Sequence, residues 1–561
     1  MSKYHNYNKN YNQNYNLSLY NQFDINDIKQ NMDKINENVK KNKNKLFKPI
    51  LQDKQKIVDI ILEYIKQNKR KIYGGYAINQ LVINKNKNAG FYSNHDIPDI
   101  DFYSIDPNTD IIKLCNLIHN AGFERVAGRE AKHKYTYSIF VEYDLYCDIT
   151  YVPKNIYNKI PFKIINNIYY THPNFITIDY LRIINDPTSY WRLEKSLNRL
   201  QLLHQYYPPT YISESIYIGE SKNDEFITKS ISKIKDFLID KENVIVVGFY
   251  AYNYFLTESK YSKKNKNITN INIPILEFIS KNYITDAKTI IDILTEQFGT
   301  NITYTEYHPF FMYLGNFVEI YINGDLICII YDYDKRCLMY QTVNYIDFTE
   351  LELESKSKSN IKNDKKINIG IFSLTLLFAN INTIKYKICN NNDLSGLYNT
   401  MSSHLIQFKS YFLNNTQTSL LDNHLFKDFI ADFIGPDINP DHEILLKYEK
   451  RKSKNKPSMF IYDPTKNRKE ERDKSFFFPN ISGNEIKNIK YQKINNNNLL
   501  ESDETDKSDE TDKSDETDNS DIESDNEHNS ENNIEHENEE KEIVNDITND
   551  NVITDIDYKN N

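Results

Sequence analysis

No stretch of this chain approaches an uninterrupted apolar run of membrane-spanning length, and its first residues are polar rather than signal-like. Neither a membrane protein nor a secreted one is therefore expected. Cysteine is sparse: Cys115, Cys147, Cys328, Cys337 and Cys389 are scattered, with no Cys-x-x-Cys pair. That pattern excludes structural zinc of the ribbon type and fits a reduced, intracellular protein. Tryptophan occurs once, at Trp191. Apolar residues reach only 39%, below the usual share for a globular protein, so part of the chain is expected to stay unfolded. At 561 residues there is still room for two or three domains and a sizeable core.

The charge is unevenly spread. Residues 501–561 hold 24 acidic and 4 basic residues, which leaves 55 acidic against 65 basic in residues 1–500. A basic body carrying an acidic tail points to a polyanionic partner; a general abundance of Asn, Lys, Ile and Tyr codons would give the same excess of lysine. The tail repeats Ser-Asp-Glu-Thr-Asp from Ser502, Ser508 and Ser514, a low-complexity array that cannot build a core. It either shields the basic body from non-cognate nucleic acid or only keeps the chain soluble.

The informative stretch runs from Ile72 to Ser104. Ile72-Tyr73-Gly74-Gly75-Tyr76-Ala77-Ile78-Asn79 pairs two glycines with the opening of a helix, and Pro98-Asp99-Ile100-Asp101-Phe102-Tyr103-Ser104 is strand-like. Side chains alternate along a strand, so Asp99, Asp101 and Tyr103 share one face while Ile100 and Phe102 point into a core. Carboxylates on one face suit hard divalent cations, and glycines at a helix start let backbone N–H groups approach a phosphate. A third carboxylate follows in the strand-like run Phe140 to Tyr151, at Asp144 or Asp148. Between Tyr180 and Arg199, Asp186 can cap a helix opened by Pro187, which places Arg192, Lys195 and Arg199 in one basic stripe, either a solvated face or a phosphate or primer clamp. Trp191 beside them reads as core rather than as a stacking platform. From Asp53, the spacing Ile57, Ile61, Tyr64, Ile65 predicts a helix capped by Asp53, and Thr109 to Ala121 predicts another.

The chain then repeats itself. Gly248-Phe249-Tyr250-Ala251-Tyr252-Asn253 matches Gly74 to Asn79, Pro274 to Ser280 matches Pro98 to Ser104, and Asp325 to Ile329 matches Asp144 to Asp148. In this second copy Phe249 replaces Gly75, Ile275 replaces Asp99, Glu277 replaces Asp101 and Ile329 replaces Asp148. The hydrophobic positions survive without the chemistry. Asp144 persists as Asp325 in the copy that lost its site, so its role is structural; Asp148, lost together with the pair, is the third carboxylate.

Glycines at a helix start, an Asp-x-Asp strand and a later strand Asp resemble the polymerase-β-like nucleotidyltransferases. Two departures accompany the resemblance: a loop insertion over Ile83 to Ile97, and Gly75 where that superfamily often carries Ser. The tandem arrangement of a live and a degenerate copy, over roughly residues 50–440, resembles the poly(A) polymerase catalytic subunits of large cytoplasmic DNA viruses. That resemblance implies an α+β fold of tandem nucleotidyltransferase domains. It also implies template-independent addition of AMP from ATP to mRNA 3′ ends, with two metals, Mg²⁺ or Mn²⁺, held by Asp99, Asp101 and Asp148. Gly74 and Gly75 would hold the β/γ phosphates, with Arg192, Lys195 and Arg199 also contacting nucleotide or phosphate. A homodimer or a viral processivity subunit is the implied partner, and the implied location is host cytoplasm and the virion. Uridylyl-, tRNA-end and oligoadenylate-type transfer, and a silent RNA-binding scaffold, are the alternatives. The expected layout is a disordered arm (1–45), a catalytic domain (46–225), a degenerate copy (230–440), a basic extension (441–494) and a disordered acidic tail (495–561). Lys447 to Lys456, with Lys466, Arg468 and Lys469, would be a nucleic-acid-contacting arm or a solvated linker.

Overall fold

The structure is a computed structural model that describes residues 19–46, 49–93, 95–131, 135–218, 224–299, 302–334, 336–348, 365–436, 440–455 and 459–466. It divides into two compact units. The first takes the chain to Tyr151, with Ile165–Tyr169 and a returning segment from Pro457; the second takes Val152–Ile164 and Tyr170–Lys456.

The first unit opens with helices α1 (Gln22–Gln30) and α2 (Met32–Leu46), followed by α3 (Leu51–Gln67). Strand β1 (Lys71–Tyr73) runs straight into α4 (Gly74–Lys85), and β2 (Ile100–Ser104) into α5 (Pro107–Asn120). Strands β3 (Val126–Glu130), β4 (Thr136–Val141) and β5 (Asp144–Tyr151) complete the pattern. Helix α6 (Lys154–Lys159), hairpin β6 (Phe162–Ile165) and β7 (Ile168–Thr171), helix α7 (Pro173–Ile184), a 3-10 turn (Pro187–Arg192) and α8 (Leu193–Tyr206) come next.

The same succession then recurs. It runs α9 (Asp224–Leu238), β8 (Val244–Val247), α10 (Gly248–Ser259), β9 (Leu276–Ser280), α11 (Tyr283–Phe298), β10 (Ile302–Tyr307), β11 (Phe317–Ile322) and β12 (Asp325–Asp332). Strands β13 (Leu338–Asn344) and β14 (Lys366–Gly370) and helices α12 (Phe372–Ile388) and α13 (Asn392–Thr416) follow. Strand β15 (Asp432–Ile434), helix α14 (Pro440–Ser453) and strand β16 (Ile461–Tyr462) end the described chain.

The two eight-stranded sheets have one plan. Their orders are β16-β3-β4-β5-β2-β1-β7-β6 and β10-β11-β12-β9-β8-β14-β13-β15, identical apart from one added strand each. The likeness reaches single residues. The β4–β5 and β11–β12 turns each carry two successive positive φ values, at Glu142 and Tyr143 and at Asn323 and Gly324, the two-residue turn whose twist matches its strands. A bulge follows at the same place, at Ile139/Phe140 in one sheet and Ile320/Tyr321 in the other. Asn79 and Asn253 each clasp the loop beyond their helix, accepting from Phe91 N at 2.9 Å and Ile271 N at 3.0 Å. Asp110 and Asp286 are both buried. Asp110 accepts from the Tyr64 hydroxyl at 2.7 Å and Arg70 at 2.8 Å, Asp286 from Ser280 at 2.5 Å.

One face of the first sheet is covered by α3 and α5 through Ile57, Ile61, Ile65, Ile111, Leu114 and Ile118, all buried. In the second sheet α9 and α11 do the same with Ile231, Ile234, Leu238, Ala287, Ile290 and Leu294. Burial of these side chains, each contributing about 1.5–3 kcal/mol, holds helix to sheet.

Four expectations need correction. Residues 22–45 are helical rather than disordered: Asn21 accepts from Phe23 N and Asp24 N while Asp24 returns a bond to Asn21 N, a complete capping box. Neither α1 nor α2 buries a residue, which is why polar composition hid them. Helix α3 begins at Leu51 with Ile50 at its cap, so Asp53 lies in the first turn. The unit boundary falls at Tyr151/Val152 instead of 225–230, because the helices after it pack onto the second copy: Ser373 donates to Asn185 at 3.0 Å, and Ile212 bonds Ser403 at 2.9 Å and Gln407 at 2.7 Å. Lys447 to Lys454 lie on helix α14 and the turn after it. Lys456, Arg468, Lys469 and the 495–561 tail lie outside the described residues. Among the described residues no helix is long and apolar enough to cross a membrane.

Candidate active site

The other face of the first sheet is polar because of register. Strands β2 and β5 run parallel with Asp101 opposite Asp148 and Tyr103 opposite Thr150. Antiparallel β1 sets Tyr73 against Asp101 and Lys71 against Tyr103, and antiparallel β4 sets Ser138 against Asp148 and Thr136 against Thr150. Partners across strands project to the same side. Two rows therefore cross the sheet: Ser138, Asp148, Asp101, Tyr73, and beneath it Thr136, Thr150, Tyr103, Lys71.

Each member of the first row is held. Ser138 Oγ donates to Asp148 Oδ1 at 2.5 Å. The Tyr73 ring stacks on Tyr103, centroids 4.1 Å apart, and its hydroxyl meets Thr150 Oγ1 at 2.7 Å. Gly74 opens α4 with a φ of +71°, and a Cβ there would overlap the carboxylate of Asp101. Only glycine fits, both for the left-handed backbone and for the space. Tyr73, at the cap of α4, supplies no side-chain bond to the helix start. Gly75 is buried within that first turn.

Asp99 stands one pleat before Asp101, outside β2, and is exposed. Among the described residues no three His, Cys, Asp or Glu side chains converge closely enough to hold a metal ion. The pair Asp101 and Asp148 is assembled, and Asp99 lies at its rim. All three act on one neighbour: the Cys147 thiol is pushed up by burial first, then by Asp148, Asp101 and Asp99 in turn. Asp144 lies at the far end of β5, where Lys54 Nζ pairs with it at 2.9 Å, tying α3 to the sheet. Arg192, Lys195 and Arg199 belong to the second unit. Arg192 sits at the cap of α8, with Lys195 and Arg199 on the helix. Trp191 is 73% exposed, contrary to its expected place in a core.

The second copy shows what replaced this chemistry. At the register of Asp101, Glu277 is fully buried and lies against Gly248, whose φ is +65°. It accepts from the Tyr331 hydroxyl at 2.8 Å, Asn382 Nδ2 at 2.9 Å and the Tyr398 hydroxyl at 2.9 Å. Burial raises its carboxyl above the usual range, although these donors and Lys385 pull the other way. Ile329 stands in the place of Asp148, between Glu277 and Glu319. Phe249 fills the position of Gly75 and packs on Tyr398 with centroids 5.3 Å apart.

Two residues of the first site escaped sequence reasoning. Ser138 gave no signal except its register opposite Asp148. Lys71 is buried on the same face, and burial lowers its ammonium to about 7. A lysine two residues before Tyr73, matched by Ile245 in the second copy, was the available hint.

A family model described as "Poly(A) polymerase catalytic subunit" matches residues 59–190, and one described as "APMV, Putative poly(A) polymerase, catalytic subunit, C-terminal" matches residues 201–496. The chain is 31% identical over 485 residues to a "Putative poly(A) polymerase catalytic subunit" of Acanthamoeba polyphaga mimivirus, covering 81% of each. It is 26% identical over 202 residues to a protein of the same description from African swine fever virus (strain Badajoz 1971 Vero-adapted), covering 35% of this chain and 39% of that one. Its fold is similar to the crystal structure of the Megavirus polyadenylate synthase, with a TM-score of 0.71 and 28% identity over 84% of this chain and 91% of the other.

Proposed function

The chain belongs to the poly(A) polymerase catalytic-subunit family and is a polynucleotide adenylyltransferase, and from that premise we propose that it adds AMP from ATP, without a template, to the 3′ ends of mRNA. The observation that carries this reading is the Asp101 and Asp148 pair set under the glycine start of α4 in one copy and replaced by Glu277 and Ile329 in the other.

Asp99, Asp101 and Asp148 are the proposed ligands of two divalent cations, Mg²⁺ or Mn²⁺. The donor set fits, since all three are carboxylates of the kind hard cations prefer and two stand side by side on adjacent strands. When bound, such ions would lower the pKa of the RNA 3′ hydroxyl and grip the triphosphate at both ends of an in-line displacement. The protein's own contributions follow from its geometry. Ser138 fixes one oxygen of Asp148. Gly74 and Gly75 offer backbone N–H groups at a helix start to the β and γ phosphates. Arg192, Lys195 and Arg199 supply cations for nucleotide or primer phosphates. ATP and an RNA 3′ end are the substrates. A homodimer or a viral processivity subunit is the proposed partner, and infected-cell cytoplasm and the virion are the proposed locations.

The test is extension of a labelled RNA primer with each of the four NTPs, with Mg²⁺ or Mn²⁺, by the full chain and by Asp101→Ala. A long tail from ATP alone, absent in the variant, supports the proposal. Preference for UTP, addition limited to tRNA ends, primer-free oligoadenylate, or no transfer at all would each overturn it.

A further inference from the structure

A core residue would be expected at the chain's one tryptophan, yet the structure presents it to solvent. Trp191 is 73% exposed and its neighbour Tyr190 77%. Burying two such rings would stabilise a fold by several kcal/mol, so leaving a pair of them outside calls for a ligand. They are also held rather than frayed. Asp186 accepts from Thr188 N at 3.0 Å, Thr188 Oγ1 at 2.6 Å and Ser189 Oγ at 2.7 Å. Pro187 fixes the first position of the 3-10 turn, and Leu193 N–H closes on the Tyr190 carbonyl. The two rings therefore sit on a clasped turn that feeds directly into α8.

The surroundings choose the ligand. The Arg192 guanidinium lies 5.5 Å from the Trp191 ring centroid, a cation over an aromatic face. Lys195 and Arg199 follow on α8, and Glu194 is the one acid from Tyr190 to Arg199. Aromatic faces beside backbone-neutralising cations are the means by which proteins hold unpaired nucleotides without reading their sequence. The basic body that carries this stripe, 65 basic against 55 acidic residues over 1–500, favours a polyanion.

We propose that Trp191, with Tyr190, is a stacking platform for an unpaired base of the RNA strand, and that Arg192 holds the adjoining phosphate. The proposal rests on the reading that this chain binds RNA. It deepens that reading by naming where a base lies against the protein.

Because the chain has a single tryptophan, indole emission reports this position alone. The full chain is titrated with oligoadenylate in the absence of NTP, following indole emission with unlabelled RNA and anisotropy with a 5′-labelled copy. Indole quenching should follow the anisotropy isotherm, and ATP alone should leave emission nearly unchanged. Trp191→Phe should bind like the parent, whereas Trp191→Ala should bind about ten-fold more weakly. Both variants should melt with the parent, because the ring is outside the core. Binding by anisotropy with silent indole and an unaffected Trp191→Ala would overturn the platform and leave polyadenylation standing. Quenching by ATP alone would move the ring to the nucleotide site and overturn it. Emission that changes with protein concentration and not with RNA would make the patch a self-association surface, again overturning it. No RNA binding by any readout would remove the polyadenylation reading, and the platform with it.

Discussion

Adding one methyl group at Gly74, and the same group at Gly248, separates catalysis from folding within a single molecule. Both glycines have left-handed backbone, φ +71° and +65°, and a Cβ on either would overlap the carboxylate of the following strand, Asp101 or Glu277. Placing Ala in that conformation costs about 1–2 kcal/mol. Relieving the overlap adds about 1–3 kcal/mol where the neighbour is packed, which applies fully to buried Glu277 with its three donors. Asp101 is only half-buried and can turn away more cheaply. Gly248→Ala should therefore be the less stable variant. Activity should follow the opposite order. A shift of about 1 Å in a group that positions reactants costs on the order of 100-fold in rate, so Gly74→Ala should lose at least about that factor while Gly248→Ala, below its melting range, extends primer at close to the parent rate. Melting by circular dichroism and single-nucleotide extension on the same preparations supply both numbers. Equal loss of activity in the two variants, or a folded Gly74→Ala with parental activity, would refute the assignment of Gly74 and Asp101 to the site.

Three further outcomes are expected. Asp99→Ala, Asp101→Ala and Asp148→Ala should each lower nucleotide addition by about 1000-fold or more, since one missing ligand undoes a shared metal site; Asp144→Ala should stay active and lose about 1–2 kcal/mol of stability, the cost of leaving the part-buried Lys54 ammonium without its partner. If Asp144→Ala is inactive and Asp148→Ala active, both folded, the third carboxylate is misassigned. Lys71 is lowered to about 7 from an unfolded value near 10.4, so between those values the unfolded chain binds the proton that the folded chain does not. Its contribution to stability therefore rises with pH across that window: from pH 7 to 9 the parent should gain about 2 kcal/mol relative to Lys71→Met, and parallel stability curves would contradict this. Removing residues 495–561 should leave RNA affinity equal or tighter and steeply salt-dependent, so weaker binding by the shortened chain would count against a basic body that the acidic tail shields.

The sequence made the doubled sheet legible because a strand face and a helix stripe leave periodic marks, and two copies allow each mark to be checked against the other. That comparison alone separates Asp148 from Asp144; the register of β5 puts Asp148 opposite Asp101, while Lys54 pairs with Asp144. What stayed hidden depends on contacts distant in the chain. Ser138 acquires its role only when β4 lies beside β5. Residues 152–218 join the second unit through Asn185 with Ser373 and Ile212 with Ser403, pairs about 190 apart in the sequence. Trp191 was misplaced because hydrophobicity favours burial, whereas a turn clasped by Asp186 can hold a large ring outside.

The polar knot around Glu277 also separates the second copy from a working site. With Tyr331, Asn382 and Tyr398 closed over that carboxylate, each single step toward a paired-carboxylate site carries a cost. Ile329→Asp alone would set a second acid beside Glu277 in a sealed interior, and an uncompensated buried charge costs several kcal/mol. Clearing the three donors first would strand Glu277 without partners. No single substitution of this kind would restore a paired-carboxylate face in the second copy. Any nucleotide addition would then fall to the face carrying Asp101 and Asp148, the one we propose as catalytic.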